Sequence, residues 1–136
     1  MVRRAVGEAR DAIGNQFGLL ELVPGAPYVL TGSHMDSQPT AGRFDGAYGV
    51  MSSAHACFAV ADELRADPSK AKYNLALLNW FNEEGSRFKP SMMGSNVFTG
   101  KAELEAALAT TDPQGVTVAE ALDAIGERGD FTAPEI

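Results

Sequence analysis

Cysteine is all but missing from this chain: Cys57 is the only one among 136 residues. A single thiol closes no intrachain disulfide, which excludes a disulfide framework and makes a reducing, cytoplasmic setting the expectation. Flanked by Ala54, Ala56, Phe58 and Ala59, it reads as a small apolar core residue. Long hydrophobic runs are missing too, and no stretch approaches the roughly 20 apolar residues of a membrane span. The positive start Met1-Val2-Arg3-Arg4 has no apolar segment behind it, which argues against a secretory signal. Basic residues are scarce and scattered, 11 Lys and Arg against 18 Asp and Glu, for a net charge of -7. Without a basic stripe, nucleic acid and anionic membranes are poor partners, and small molecules or metal cations fit better. Neither a phosphate-cradling glycine loop nor a Gly-x-Ser-x-Gly elbow occurs, and histidine is limited to His34 and His55.

What is present suits one globular domain with a real core: 45% of residues are hydrophobic and 21% charged. Pro24-Gly25-Ala26-Pro27 separates apolar runs at 17–23 and 28–31, which predicts a strand-turn-strand unit. Residues 34–46 carry Gly, Pro, Ser and Asp without a period and read as a loop. Residues 47–64, with apolar positions at Val50, Ala54, Cys57, Phe58, Ala61 and Leu64, predict a helix ending before Asp67-Pro68. The run 74–81 has the length and apolarity of a strand covered on both faces. Helices are expected at 101–108 and 117–125, the latter opened by Thr117 with Glu120 three residues on. Residues 2–13 allow either a solvated helix or a short strand. Strands alternating with loops and helices predict an α/β layered fold.

Three motifs lie at or near the ends of the apolar runs: Gly32-Ser33-His34-Met35-Asp36, Gly42-Arg43-Phe44-Asp45-Gly46 and Asn82-Glu83-Glu84-Gly85-Ser86-Arg87-Phe88. In open α/β sheets functional groups collect beyond the carboxyl ends of strands, so the three motifs are placed to share one crevice. One imidazole with several carboxylates is the ligand chemistry of a hydrolytic metal site. His34 is a candidate ligand, with Asp36 available to hold its second ring nitrogen. Asp45 is either a turn residue of an Asp-Gly pair or a carboxylate able to bridge two cations. Glu83-Glu84 is either an exposed acidic pair or a ligand beside a general base, because successive side chains of an extended segment point in opposite directions. His55, within the Ala-rich helix, is expected to be structural. Met92-Met93 and Phe98 are expected in the core or on a pocket wall.

With those motifs in place, the chain resembles the amidase, hydantoinase and carbamoylase branch of the M20 metallopeptidase-like family, which includes N-carbamoyl-L-amino-acid hydrolases, beta-ureidopropionases and allantoate amidohydrolases. The resemblance runs through Asp11-Ala12-Ile13-Gly14-Asn15, Thr31 to Thr40, Gly42 to Gly46, Asn79 to Phe88, Met93-Gly94-Ser95 and Phe98-Thr99-Gly100. It implies part of a three-layer αβα zinc-hydrolase catalytic domain with a mixed sheet. It implies two divalent metal ions, zinc first, with manganese, cobalt or nickel in some members. His34 would ligate one ion, Glu84 the other, and Asp45 would bridge them. Glu83 would be the general base and acid, with Asp36 behind His34. The implied reaction is hydrolysis of a ureido or amide C–N bond by a metal-bridging hydroxide, on a small-molecule substrate. Full-length relatives would be homodimeric.

The resemblance also implies a continuation. Relatives would add a His-bearing segment, a lid and dimerisation domain and a last His ligand, and residues 130–136 do not resemble what should come there. Each zinc wants about four ligands, and His34, Asp45 and Glu84 cannot fill two such shells. The expectation is therefore that residues 1–136 form the N-terminal portion of a catalytic domain, incomplete and inactive alone. The competing expectations are a peptidase or aminoacylase of the wider M20 group, or a non-catalytic metal-binding remnant.

Overall fold

The computed structural model describes residues 7–40 and 42–131. Residues 2–6 of the ambiguous N-terminal stretch and residues 132–136 of the divergent C-terminal one lie outside them. In chain order the elements are β1 (Gly7–Arg10), β2 (Gln16–Leu20), β3 (Tyr28–His34), α1 (Ala47–Ala66), a 3-10 turn (Pro68–Lys70), β4 (Asn74–Trp80), α2 (Met93–Phe98), α3 (Leu104–Leu108) and α4 (Val118–Ile125). The strands form one mixed sheet of order β1-β2-β4-β3. β3 and β4 run parallel, joined through α1, while β2 is antiparallel to both β4 and β1.

The 24–27 turn does join two strands, but those strands do not pair with each other. β4 lies between them, because the continuous apolar run of β4 gains more by occupying the centre of the sheet than an edge. Asn74, the first residue of β4 and 1% exposed, ties the turn to it. Its Oδ1 accepts the N–H groups of Leu22 and Val23 at 2.7 and 2.8 Å, and its Nδ2 donates to the carbonyls of Val23 and Ala26 at 3.0 and 2.8 Å. One buried amide thus satisfies four backbone groups of a segment that has no ladder of its own.

Strand alternation assigns the two faces. Leu20 lies opposite Leu75, and with Cys57, Ala61, Leu22 and Phe58 they form the core beneath α1. Phe17 lies opposite Leu78 on the other face, where Phe98 of α2 packs against the rings of Phe17 and Trp80 at 5.8 and 5.2 Å. The result is helix, sheet, helix, with β4 covered on both sides. Each large apolar side chain buried this way contributes about 1.5–3 kcal/mol. A second core gathers Ile13, Phe88, Met93, Ala107, Leu108, Val118 and Leu122 from the 11–15 turn and the short helices.

β1 settles residues 7–10 as strand. α4 opens with the expected reciprocal cap: Thr117 Oγ1 accepts the Glu120 N–H at 3.1 Å, and the Glu120 carboxylate accepts the Thr117 N–H at 2.8 Å. The helix expected over 101–108 is shorter, beginning at Leu104. α2, at six residues, is too short to show a helical period. Met93 is buried in the core while Met92 is 50% exposed. Among the described residues no helix is long and apolar enough to cross a membrane.

Candidate metal centre

His34 closes β3 opposite Trp80, and its side chain is 10% exposed. Its Nδ1 stands 3.3 Å from Asp36 Oδ1 and 3.0 Å from the Asp36 carbonyl oxygen. Both neighbours are acceptors, so the ring proton belongs on Nδ1 and the lone pair on Nε2. Nε2 faces Asp45 Oδ1 at 3.5 Å and Glu84 Oε1 at 3.9 Å. One donor atom from each of His34, Asp45 and Glu84 lies within 4.8 Å of the others. Nitrogen and oxygen ligands at 2.0–2.2 Å around a tetrahedral ion stand about 3.4 Å apart. The two His34 pairs, at 3.5 and 3.9 Å, are near that spacing, and the three donors together could hold one cation. Among the described residues no second group of three such donors occurs.

Each donor is placed by a local device. Asp45 precedes Gly46, the residue before α1, whose φ is 73°. A Cβ on Gly46 would sit 2.6 Å from both Cε1 and the carbonyl oxygen of His34, so only glycine lets α1 start against the imidazole. The Asp45 side chain is 57% exposed and leaves the centre open to solvent. Asp36 fastens the third motif: its Oδ1 accepts the Glu83 N–H at 3.3 Å and its Oδ2 the Glu84 N–H at 3.0 Å. One carboxylate thereby orients the imidazole and fixes the backbone of the acidic pair.

The acidic pair is not extended, contrary to the sequence expectation. β4 ends at Trp80, and Asn82 adopts a left-handed φ of 47°, which folds Glu83-Glu84 into a turn. Asn82 holds that turn by donating from Nδ2 to the carbonyls of Phe88 and Pro90 at 2.9 and 3.3 Å. The divergence of the two side chains survives for a different reason. Glu84 points at His34, whereas the Glu83 carboxylate accepts the Ser95 hydroxyl at 2.9 and 3.3 Å. Ser95 and Gln38, which donates to Glu84 Oε2, carry no role readable from sequence; only their place in the resembling stretches marks them. His55 is exposed on α1, outside the triad.

Behind the turn, Asn15 is fully buried and joins three segments. Its Oδ1 accepts the Phe81 N–H at 2.9 Å, and its Nδ2 donates to Gly94 O at 3.1 Å and Asp11 Oδ2 at 2.7 Å. A Cβ on Gly94 would stand 2.1 Å from Asn15 Oδ1, so the close approach requires glycine there. Burial pushes the Asp11 carboxyl up, opposed by the hydrogen bonds it accepts from Asn15 and from the backbone at Ile13 and Gly14. Further out, Arg87 Nε and an Arg87 terminal nitrogen each reach Asp112 Oδ2 at 2.9 Å.

The fold recurs in solved proteins. A hydantoinase/carbamoylase family amidase from Burkholderia ambifaria matches 93% of this chain and 30% of its own at 43% identity, with a TM-score of 0.80. Over the residues it spans, the chain is homologous to hydantoinase/carbamoylase family amidases. A protein of Mycolicibacterium smegmatis described as a hydrolase is 61% identical over 120 residues, 88% of this chain and 27% of its own length. The N-carbamoyl-L-amino-acid amidohydrolase of Rhizobium meliloti is 44% identical over 107 residues, or 79% of this chain and 25% of that enzyme. The chain thus spans about a quarter of the curated relatives it matches. No protein-family model matches it.

Proposed function

We propose that this chain carries part of the catalytic site of a metal-dependent amidohydrolase of the M20 type, acting in the cytoplasm on the C–N bond of N-carbamoyl amino acids or related ureido compounds. The observation that carries the reading is the convergence of His34 Nε2, Asp45 Oδ1 and Glu84 Oε1, with Nδ1 of the same imidazole already engaged by Asp36. An imidazole nitrogen and two carboxylate oxygens suit a divalent cation, zinc first, with manganese, cobalt or nickel as alternatives. His34, Asp45 and Glu84 would hold it. A second cation, which the resemblance implies, would share Asp45 and need further donors. When bound, the metal supplies Lewis acidity and lowers the pKa of water.

The remaining chemistry falls to the chain's own groups. Glu83 lies next to Glu84 but faces Ser95, so its carboxylate is held as an acceptor free to take the proton of the attacking water. It then delivers that proton to the departing amine as the C–N bond breaks. For an N-carbamoyl amino acid that step releases the amino acid and carbamic acid, and the carbamic acid then breaks its remaining C–N bond to give carbon dioxide and ammonia. The exposed side of Asp45 is the direction from which substrate reaches the site.

The ureido class is favoured over a peptidase or aminoacylase because similar proteins bear the names N-carbamoyl-L-amino-acid amidohydrolase, allantoate amidohydrolase and ureidoglycolate hydrolase. Calorimetric titration of zinc into the purified chain, with N-carbamoyl-L-alanine hydrolysis followed in parallel, tests the reading. The expected result is one cation bound with little turnover, and loss of binding in His34→Ala. In a catalytically competent form, Glu83→Gln is expected to keep the metal and lose about 10²–10⁴-fold in turnover. Unchanged turnover would remove Glu83 from the chemistry, and failure of the parent to bind zinc would remove the metal.

A further inference from the structure

The two oxygens of the Glu84 carboxylate have different surroundings. Oε1 stands 3.9 Å from His34 Nε2, on the side of the donor triad. Oε2 is taken by the side-chain amide of Gln38. A carboxylate only accepts, so the NH2 of Gln38 rather than its carbonyl faces Glu84. The stretch carrying Gln38 is fastened to the acidic turn by the two residues that precede it: Asp36 accepts the Glu83 and Glu84 N–H groups, and the Ser37 carbonyl accepts the Ser86 hydroxyl at 3.2 Å. Gln38 is itself exposed and, among the described residues, belongs to neither hydrophobic core.

Resting on the metal reading proposed above, we infer that Gln38 is a positioning residue that confines Glu84 to one-oxygen ligation. Its amide occupies the lone pairs of Oε2 and draws off part of that oxygen's charge, while Oε1 is left aimed at the position shared with His34 and Asp45. A carboxylate free of such a donor can close on a cation with both oxygens and fill the coordination position that substrate or water needs. Gln38 thus keeps that position open.

The test uses the whole chain, its Gln38→Met and Gln38→Ala variants, and zinc chloride and cobalt chloride as probes. Gln38→Met keeps the length and loses the donor, and its exposed position keeps either change from unfolding the chain, which circular dichroism checks. Both variants are expected to bind zinc about 10-fold or more weaker. The visible absorption of bound cobalt(II), which reports ligand number, is expected to shift toward higher coordination in both. If the parent binds both metals and neither variant changes the cobalt spectrum, the role of Gln38 is refuted and the metal reading stands. If the parent takes up neither metal, the metal reading falls and the role of Gln38 falls with it.

Discussion

The Asp36 carboxylate stands 3.3 Å from Nδ1 of His34 and at the same time receives the backbone N–H groups of Glu83 and Glu84. A single side chain therefore sets both the tautomer of one candidate ligand and the position of another. Asp36→Ala is expected to weaken zinc binding about 10–100-fold, with Asp36→Asn, which keeps one acceptor oxygen, in between. Calorimetry decides it. Equal affinity in all three proteins would mean that Asp36 does not orient the centre.

Gly46→Ala adds a Cβ 2.6 Å from the imidazole at a φ of 73°. The left-handed backbone alone costs about 1–2 kcal/mol, and the clash adds to it. Urea unfolding is expected to show that loss, and zinc affinity should fall with the displaced His34. At Gly42 an added Cβ meets nothing within 4 Å, so Gly42→Ala serves as the control and should change neither quantity.

Asn15→Ala leaves the Phe81 N–H without its acceptor and takes the amide donor away from Gly94 O and Asp11 Oδ2, while Asp11 Oδ1 keeps the backbone N–H of residue 15. Each unsatisfied buried group costs about 1–3 kcal/mol, so a loss of about 2–5 kcal/mol is expected in chemical denaturation. A loss under half a kcal/mol would show that the 11–15 turn does not brace the end of β4.

Two buried carboxyls predict opposite pH limbs. At Asp112 burial pushes the pKa up, but the Val116 and Gln114 N–H groups and the Arg87 guanidinium outweigh it and hold the group below its ordinary value. Its contribution is present above the unfolded value of about 3.9 and lost as pH falls through the lower folded one. At Asp11 burial holds the group above its ordinary value. The fold therefore loses stability as pH rises from about 3.9 toward that higher value. Urea midpoints measured against pH should fall less steeply on the acid side in Asp112→Asn, and the opposing decline should vanish in Asp11→Asn. Parallel curves for all three proteins would contradict both assignments.

The amphipathic length of α1, the apolar run of β4 and the Thr117-Glu120 cap are local patterns, and each was readable because its period or cap is written within a few residues. α2 was not, because six residues hold less than two turns. The pairing of β4 between β2 and β3 was not either, since strand order depends on which long-range contacts bury the most surface, and Gly18 and Leu77, which pair between β2 and β4, stand 59 positions apart in the chain. For the site, residue types and their places after strands picked out His34, Asp36, Asp45, Glu83 and Glu84.

Sequence by itself determined the chemistry available here, because the kind of donor each residue offers is a covalent property. The tertiary structure decided direction. Asn82 turns the chain so that Glu84 faces the imidazole and Glu83 faces Ser95, and Gln38 and Asn15 gain their contacts from partners 46 and 66 residues away. Hydrogen bonds of that span exist only after the chain has closed on itself, so no local pattern announces them.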